Sequence, residues 1–127
     1  MEKIGSGYSE VIEEYMSVLT ILKKNKDYRK VYNRGKSVAD RQMVLYFLKN
    51  NEELCRFGFT VSKKVGNAVI RNRIRRLFRE ACRLNAQKFP WGFDFVLLAR
   101  RQSVGLKYQQ VEDSLLKLLT RINSNRG

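Results

Sequence analysis

The chain has 127 residues, 43% of them apolar, which is enough for one compact domain with its own core and too few for two. Lysine and arginine total 26 against 12 aspartate and glutamate, with no histidine, for a net charge of +14. Such an excess repels itself in the folded state and points to a polyanionic partner, nucleic acid first and an anionic membrane surface second, but the apolar runs VLYFL at 44–48 and FVLLA at 95–99 are far too short to span a bilayer.

Residues 1–20 hold Glu2, Glu10, Glu13 and Glu14 against Lys3, so residues 21–127 carry 25 bases and 8 acids, a net of +17. We therefore divide the chain into an acidic N-terminal extension, 1–20, and a basic domain, 21–127. MEKIGSGYSEVIEEY places acids where a secretory signal would carry bases, and it has no apolar stretch, so a cytoplasmic location is expected. Tyr8, Val11, Ile12, Tyr15, Met16 and Leu19 recur at helical spacing behind Ser9. The extension fits an amphipathic helix and equally an unstructured lead. Without an export signal, Cys55 and Cys82 are expected as buried free thiols, and without histidine or a CxxC pair a zinc site has no support.

In the basic domain the first helix is predicted over Asn25 to Arg34, with Asn25 as N-cap, Asp27 in the first turn and Gly35 as the stop. Its apolar stripe is Leu22, Tyr28, Val31 and Tyr32. Two strands follow, Gln42 to Lys49 and Arg56 to Ser62, and the polar NNEE between them suits a hairpin loop. In the second strand Phe57, Phe59 and Val61 point one way and Gly58, Thr60 and Ser62 the other. A face floored by such small residues beside Tyr46 can be a groove, or it can lie under a packed helix. Both remain open on the sequence.

KKVGNAVIRNRIRRLFRE, from Lys63 to Glu80, holds seven cations and no carboxylate before its last residue. Beyond the turn at Gly66 and Asn67, helical spacing gathers Ile70, Ile74, Leu77, Phe78, Ala81 and Leu84 on one arc. Arg71, Arg73, Arg75, Arg76, Arg79 and Arg83, with Asn72, occupy the other. A solvated face would mix signs to gain i, i+4 pairs; an unmixed arginine face, with planar forks of donors suited to phosphate, calls for a bound polyanion. A strand at Phe93 to Arg100, apolar on both faces and so central, follows a turn at Pro90-Trp91-Gly92. A last helix runs from about Lys107 to Ile122. The order α-β-β-α-β-α makes a small α+β fold, an α/β sandwich with helices packed on a mixed sheet. The acids are scattered and no histidine is present to activate a thiol, so no catalytic constellation is visible.

FTVSKKVGNAVIRNRIRRLFRE, preceded by ILKKNKDYRKVYNRGKSVADRQMVLYFLKN and followed by DFVLLAR, closely resembles the protein subunit of bacterial ribonuclease P over about residues 21–122. The resemblance implies an unusual left-handed β-α-β crossover. It also implies that an associated catalytic RNA, holding Mg²⁺, cleaves the 5′ leader from precursor tRNA, while the protein supplies no catalytic residue and binds no cofactor of its own. On that likeness Lys63, Lys64, Asn67, Arg71, Asn72, Arg73, Arg75, Arg76 and Arg79 would lie against the catalytic RNA. Tyr28, Tyr32, Val44, Tyr46 and Ser62 would line a cleft for the single-stranded leader, the protein acting as a monomer in a 1:1 complex with the RNA and without a membrane. Positions 28 and 32 carry Tyr where the family often has Phe, which adds a hydroxyl to each stacking face. MSVLTILKKNKDYRKVY from Met16 reads like a family N-terminus, so residues 1–15 stand outside the pattern as an addition or an upstream-start artefact. A structural, ribosomal-type RNA binder would share the arginine helix without needing the tyrosine groove; a helix-turn-helix DNA regulator would need two helices around the turn, where here a strand leads in.

Overall fold

A computed structural model describes residues 19–126. The elements are β1 (Thr20–Ile21), α1 (Asn25–Arg34), β2 (Lys36–Ala39), β3 (Met43–Lys49), β4 (Arg56–Thr60), α2 (Ala68–Leu84), β5 (Phe93–Ala99) and α3 (Tyr108–Arg126), with short 3-10 turns at Ala86–Lys88 and Arg101–Ser103. The five strands form one mixed sheet in the order β1-β4-β5-β3-β2. β1 and β5 run parallel to β4, while β3 runs antiparallel to β5 and β2 antiparallel to β3.

The sequence order lacked β1 and β2, because both are short edge strands. β1 has two residues, and in β2 only Val38 is buried, too little for an alternation to show. The expected hairpin is also absent: β5 lies between β3 and β4. The physical reason is in the β5 sequence, since Phe95, Val96 and Leu97 are all fully buried and a strand apolar on both faces must take the middle of the sheet. Asn25 is the first helical residue and not the cap; Lys24 holds that place, with its carbonyl accepting from Asp27 and Tyr28.

One sheet face carries Met43, Leu45, Phe57, Phe95 and Leu97, closed by Ile74, Phe78 and Ala81 of α2 and by Val111, Leu115, Leu118 and Ile122 of α3. This is the main core. The opposite face is covered in part by α1, through Leu22, Val31 and Val96 with Tyr28, Tyr32, Tyr46 and Leu48 beside them. Leu19, which composition assigns to the acidic extension, is buried in the main core. Residues 1–18, including the stripe that begins at Tyr8, lie outside the described residues. Leu84 leaves the apolar arc expected for it and is 48% exposed at the end of α2. Cys82 is fully buried as expected, whereas Cys55 is only half-buried, at the edge where its Sγ donates to the carbonyl of Pro90.

Among the charged groups, Asp94 is buried and receives Nε and Nη2 of Arg56 at 2.8 and 2.7 Å and Nδ2 of Asn50 at 2.9 Å. Arg56 also faces Glu52 at 3.5 Å and Asp27 of α1 at 3.9 Å, which ties that helix to the sheet.

Candidate nucleic-acid interface

β4 ends at Thr60, and the chain turns through Ser62, Lys63 and Lys64 with Val65 N donating to the Ser62 carbonyl. Asn67 then caps α2, its Oδ1 accepting from Ile70 N at 3.0 Å, and satisfies one of the free donors of the first turn. No acid stands in that turn. Ile74, Phe78, Ala81 and Cys82 fix the helix on the core, so the arginine face is turned outward over about 25 Å of helix.

The arginines are not equivalent. Arg73 Nη2 donates to the Leu106 carbonyl at 2.9 Å; Arg75 donates to Asn72 Oδ1 at 3.0 Å and reaches the Val61 carbonyl at 3.5 Å. Arg71 is half-exposed, with its Nε enclosed and unpaired. Arg76 and Arg79 are exposed, and neither has a carboxylate partner among the described residues. Among those residues ion pairs form only at Arg56 and Arg83, the latter a fork on Glu80. The structure therefore brings Lys63, Lys64, Asn67, Arg71, Asn72, Arg73, Arg75, Arg76 and Arg79 onto one loop and one helix, the seven lysines and arginines without carboxylate partners among the described residues.

The groove residues come together differently. Cross-strand register sets Ala39, Val44, Leu98 and Thr60 in one row on the α1 face, and Ser37, Tyr46, Val96 and Gly58 in the next. Tyr28 lies directly on Gly58, where a Cβ would come within 2.6 Å of its ring, and its hydroxyl donates to the Leu22 carbonyl at 3.3 Å. Tyr32 shares a 2.7 Å hydrogen bond with Thr60 Oγ1 and meets Tyr46 edge to face at 4.9 Å. Burial, above all, raises the pKa of the Tyr32 hydroxyl above its ordinary value. The small-residue face is thus covered at one place and partly open beyond it. Gly58 sits beneath a packed ring; Val44, Leu98 and Thr60 beyond it are half-buried, and Ser62 at the end is exposed. Leu98 was missed, because a strand apolar on both faces gives no sign of where its cover ends.

Among the described residues no three acid, cysteine or histidine side chains converge where they could hold a metal ion. Burial pushes the Cys82 thiol well up and raises Cys55, away from the reactive thiolate. Among the described residues no helix is long and apolar enough to cross a membrane.

The family model described as Ribonuclease P matches residues 16–123. A curated relative from Pelotomaculum thermopropionicum, named ribonuclease P protein component, is 64% identical over 112 residues, 88% of this chain and 100% of that one. One of the same name from Clostridioides difficile is 46% identical over 101 residues, 79% of this chain and 89% of that one. Among solved structures, the Staphylococcus aureus RNase P protein superposes with a TM-score of 0.75 at 35% identity, covering 83% of this chain and 96% of that one. The Thermotoga maritima RNase P protein gives 0.73 at 33%, covering 79% and 94%. A chain matched by the family model over nearly all its described length, with the arginine helix and the half-covered sheet face in one fold, belongs to the ribonuclease P protein family.

Proposed function

We propose that this protein is the protein component of a ribonuclease P, that α2 and the Lys63–Lys64 turn hold the catalytic RNA, and that the row beyond α1 holds the single-stranded 5′ leader of precursor tRNA. In this reading the RNA carries out the hydrolysis and holds the Mg²⁺, while the protein, one copy per RNA, positions the substrate in the cytoplasm. The observation that carries it is the adjacency of two unlike surfaces. Half-buried Thr60 and exposed Ser62 end a partly open sheet face edged by Tyr32 and Tyr46, and the next residues, Lys63 and Lys64, begin a cationic face without carboxylate partners among the described residues. A base needs the first and a phosphate backbone the second.

Tyr32 tests the groove. A stacked base contributes roughly 1 to 3 kcal/mol, about 5- to 150-fold in affinity. Tyr32→Ala is expected to weaken binding of precursor tRNA to the holoenzyme by that order and to leave mature tRNA unaffected. Tyr32→Phe, which keeps the ring, is expected to retain most of the affinity. Equal losses for both RNAs, or a loss explained by unfolding at the assay temperature, would remove Tyr32 from the leader site.

A further inference from the structure

Because β4 and β5 are parallel neighbours, with Thr60 opposite Leu98, their C-terminal ends open at the same end of the sheet. Each end delivers two adjacent cations to solvent: Lys63 and Lys64 after β4, Arg100 and Arg101 after β5. β3 starts there too, with Met43 opposite Ala99, and α2 begins there after a seven-residue connection. At the other end three acids, Asp27, Glu52 and Asp94, surround Arg56. Asp40 lies at the cationic end, with exposed Asp113 of α3 next to its partner Ser114, and the Asp40 carboxylate is taken up by the backbone N–H groups of Gln42 and Met43 and by the Ser114 hydroxyl. The sheet thus has a cationic end and an anionic end.

The connection between β5 and α3 is a built loop. Ser103 is buried, its hydroxyl donating to the Arg100 carbonyl at 2.7 Å. Arg100 Nη1 holds the Asp40 carbonyl at 2.8 Å. Gly105 adopts φ +81°, a left-handed turn that suits glycine, and Leu106 follows with its carbonyl on Arg73 of α2. Arg101 and Lys107 flank this link and remain exposed. We propose that Arg101 and Lys107 are further RNA-contacting residues, and that the β5–α3 loop extends the phosphate-binding surface of α2 across the cationic end of the sheet, with Arg73 as the brace that joins the two. The ligand is the phosphodiester backbone of the RNA lying on α2, so the inference rests on the function proposed above.

The test is the salt dependence of holoenzyme assembly with the chain's own catalytic RNA. Each phosphate contact removed lowers the log–log slope by about 0.7 to 0.9. Arg101→Ala with Lys107→Ala is expected to lower it by nearly two contacts with thermal stability unchanged, whereas Lys49→Ala, at the anionic end, leaves it alone. Arg73→Ala is expected to lose more than one contact, and to lose less when Arg101 and Lys107 are already alanine. An unchanged slope in the double variant, with Arg76→Ala lowering it, would overturn the loop surface and leave the reading of α2 standing. Failure of the unmodified chain to bind the catalytic RNA would overturn both.

Discussion

Gly58 has room for a hydrogen and little more, because the ring of Tyr28 rests where a Cβ would be. Gly58→Ala must expel that ring from the small cluster of Leu22, Val31 and Val96, at an expected cost of about 1 to 3 kcal/mol in urea unfolding. In a Tyr28→Ala background the same substitution should cost much less, since the obstructing ring is gone; equal costs in both backgrounds would mean that the backbone, not Tyr28, rejects the methyl. A second sensitive residue is Asp94, whose two oxygens receive Arg56 and Asn50 inside the sheet edge. Asp94→Ala removes the two short bonds to Arg56 and leaves only the longer contacts to Glu52 and Asp27, so it should destabilise the fold by about 1 to 3 kcal/mol, whereas Glu52→Ala, the exposed partner of the same arginine, should fall within about 1 kcal/mol. The sequence displayed all these residues but not the Tyr28 and Gly58 contact, which joins a helix to a strand thirty residues away.

Elements were legible to the extent that their burial was periodic. α2 could be read up to its last turn, where Leu84 departs, because one arc is apolar and the other basic, and β5 could be placed centrally because both its faces are apolar. β2 left no comparable trace, with Lys36 and Ser37 exposed at an edge, and the pairing of β3 with β5 was hidden because NNEE suits a tight hairpin and a longer crossing equally well. The junction between α2 and α3 was likewise unreadable. There Asn85 is buried and donates to the Ala81 carbonyl and to Glu112 Oε2, which also accepts from the Tyr108 hydroxyl at 2.8 Å. Burial first, then the hydrogen bond to Glu112 and that residue's charge, pushes Tyr108 up to about 12 from 10.0. A group that holds its proton more tightly when folded contributes stability below its unfolded value and loses it as pH rises through the folded one. This contribution should therefore be intact below pH 10 and vanish by about pH 12. Tyr108→Phe should flatten that part of the alkaline stability curve, and a curve of unchanged shape would show that the hydroxyl does not couple the two helices.

The whole molecule is a small fold made to carry a charge it cannot neutralise. A net of +17 over residues 21–127, with ion pairs among the described residues only at Arg56 and Arg83, leaves most of the repulsion for a ligand to relieve. Anions that bind the folded state should stabilise it by mass action, so sulfate should raise the melting temperature more than chloride at equal ionic strength. Equal effects would reduce the charge to general screening and argue against defined phosphate sites. The proposed division of labour, with the RNA cutting and the protein holding both RNA and leader, can be measured as cleavage of precursor tRNA at low Mg²⁺ by the catalytic RNA, with and without the purified protein. Little 5′ processing is expected from the RNA alone, and it should be restored on adding one equivalent of protein. The restoration should depend on a leader of several nucleotides. The division of labour would be contradicted by cleavage that the protein fails to restore, or by cleavage by the protein in the absence of the RNA.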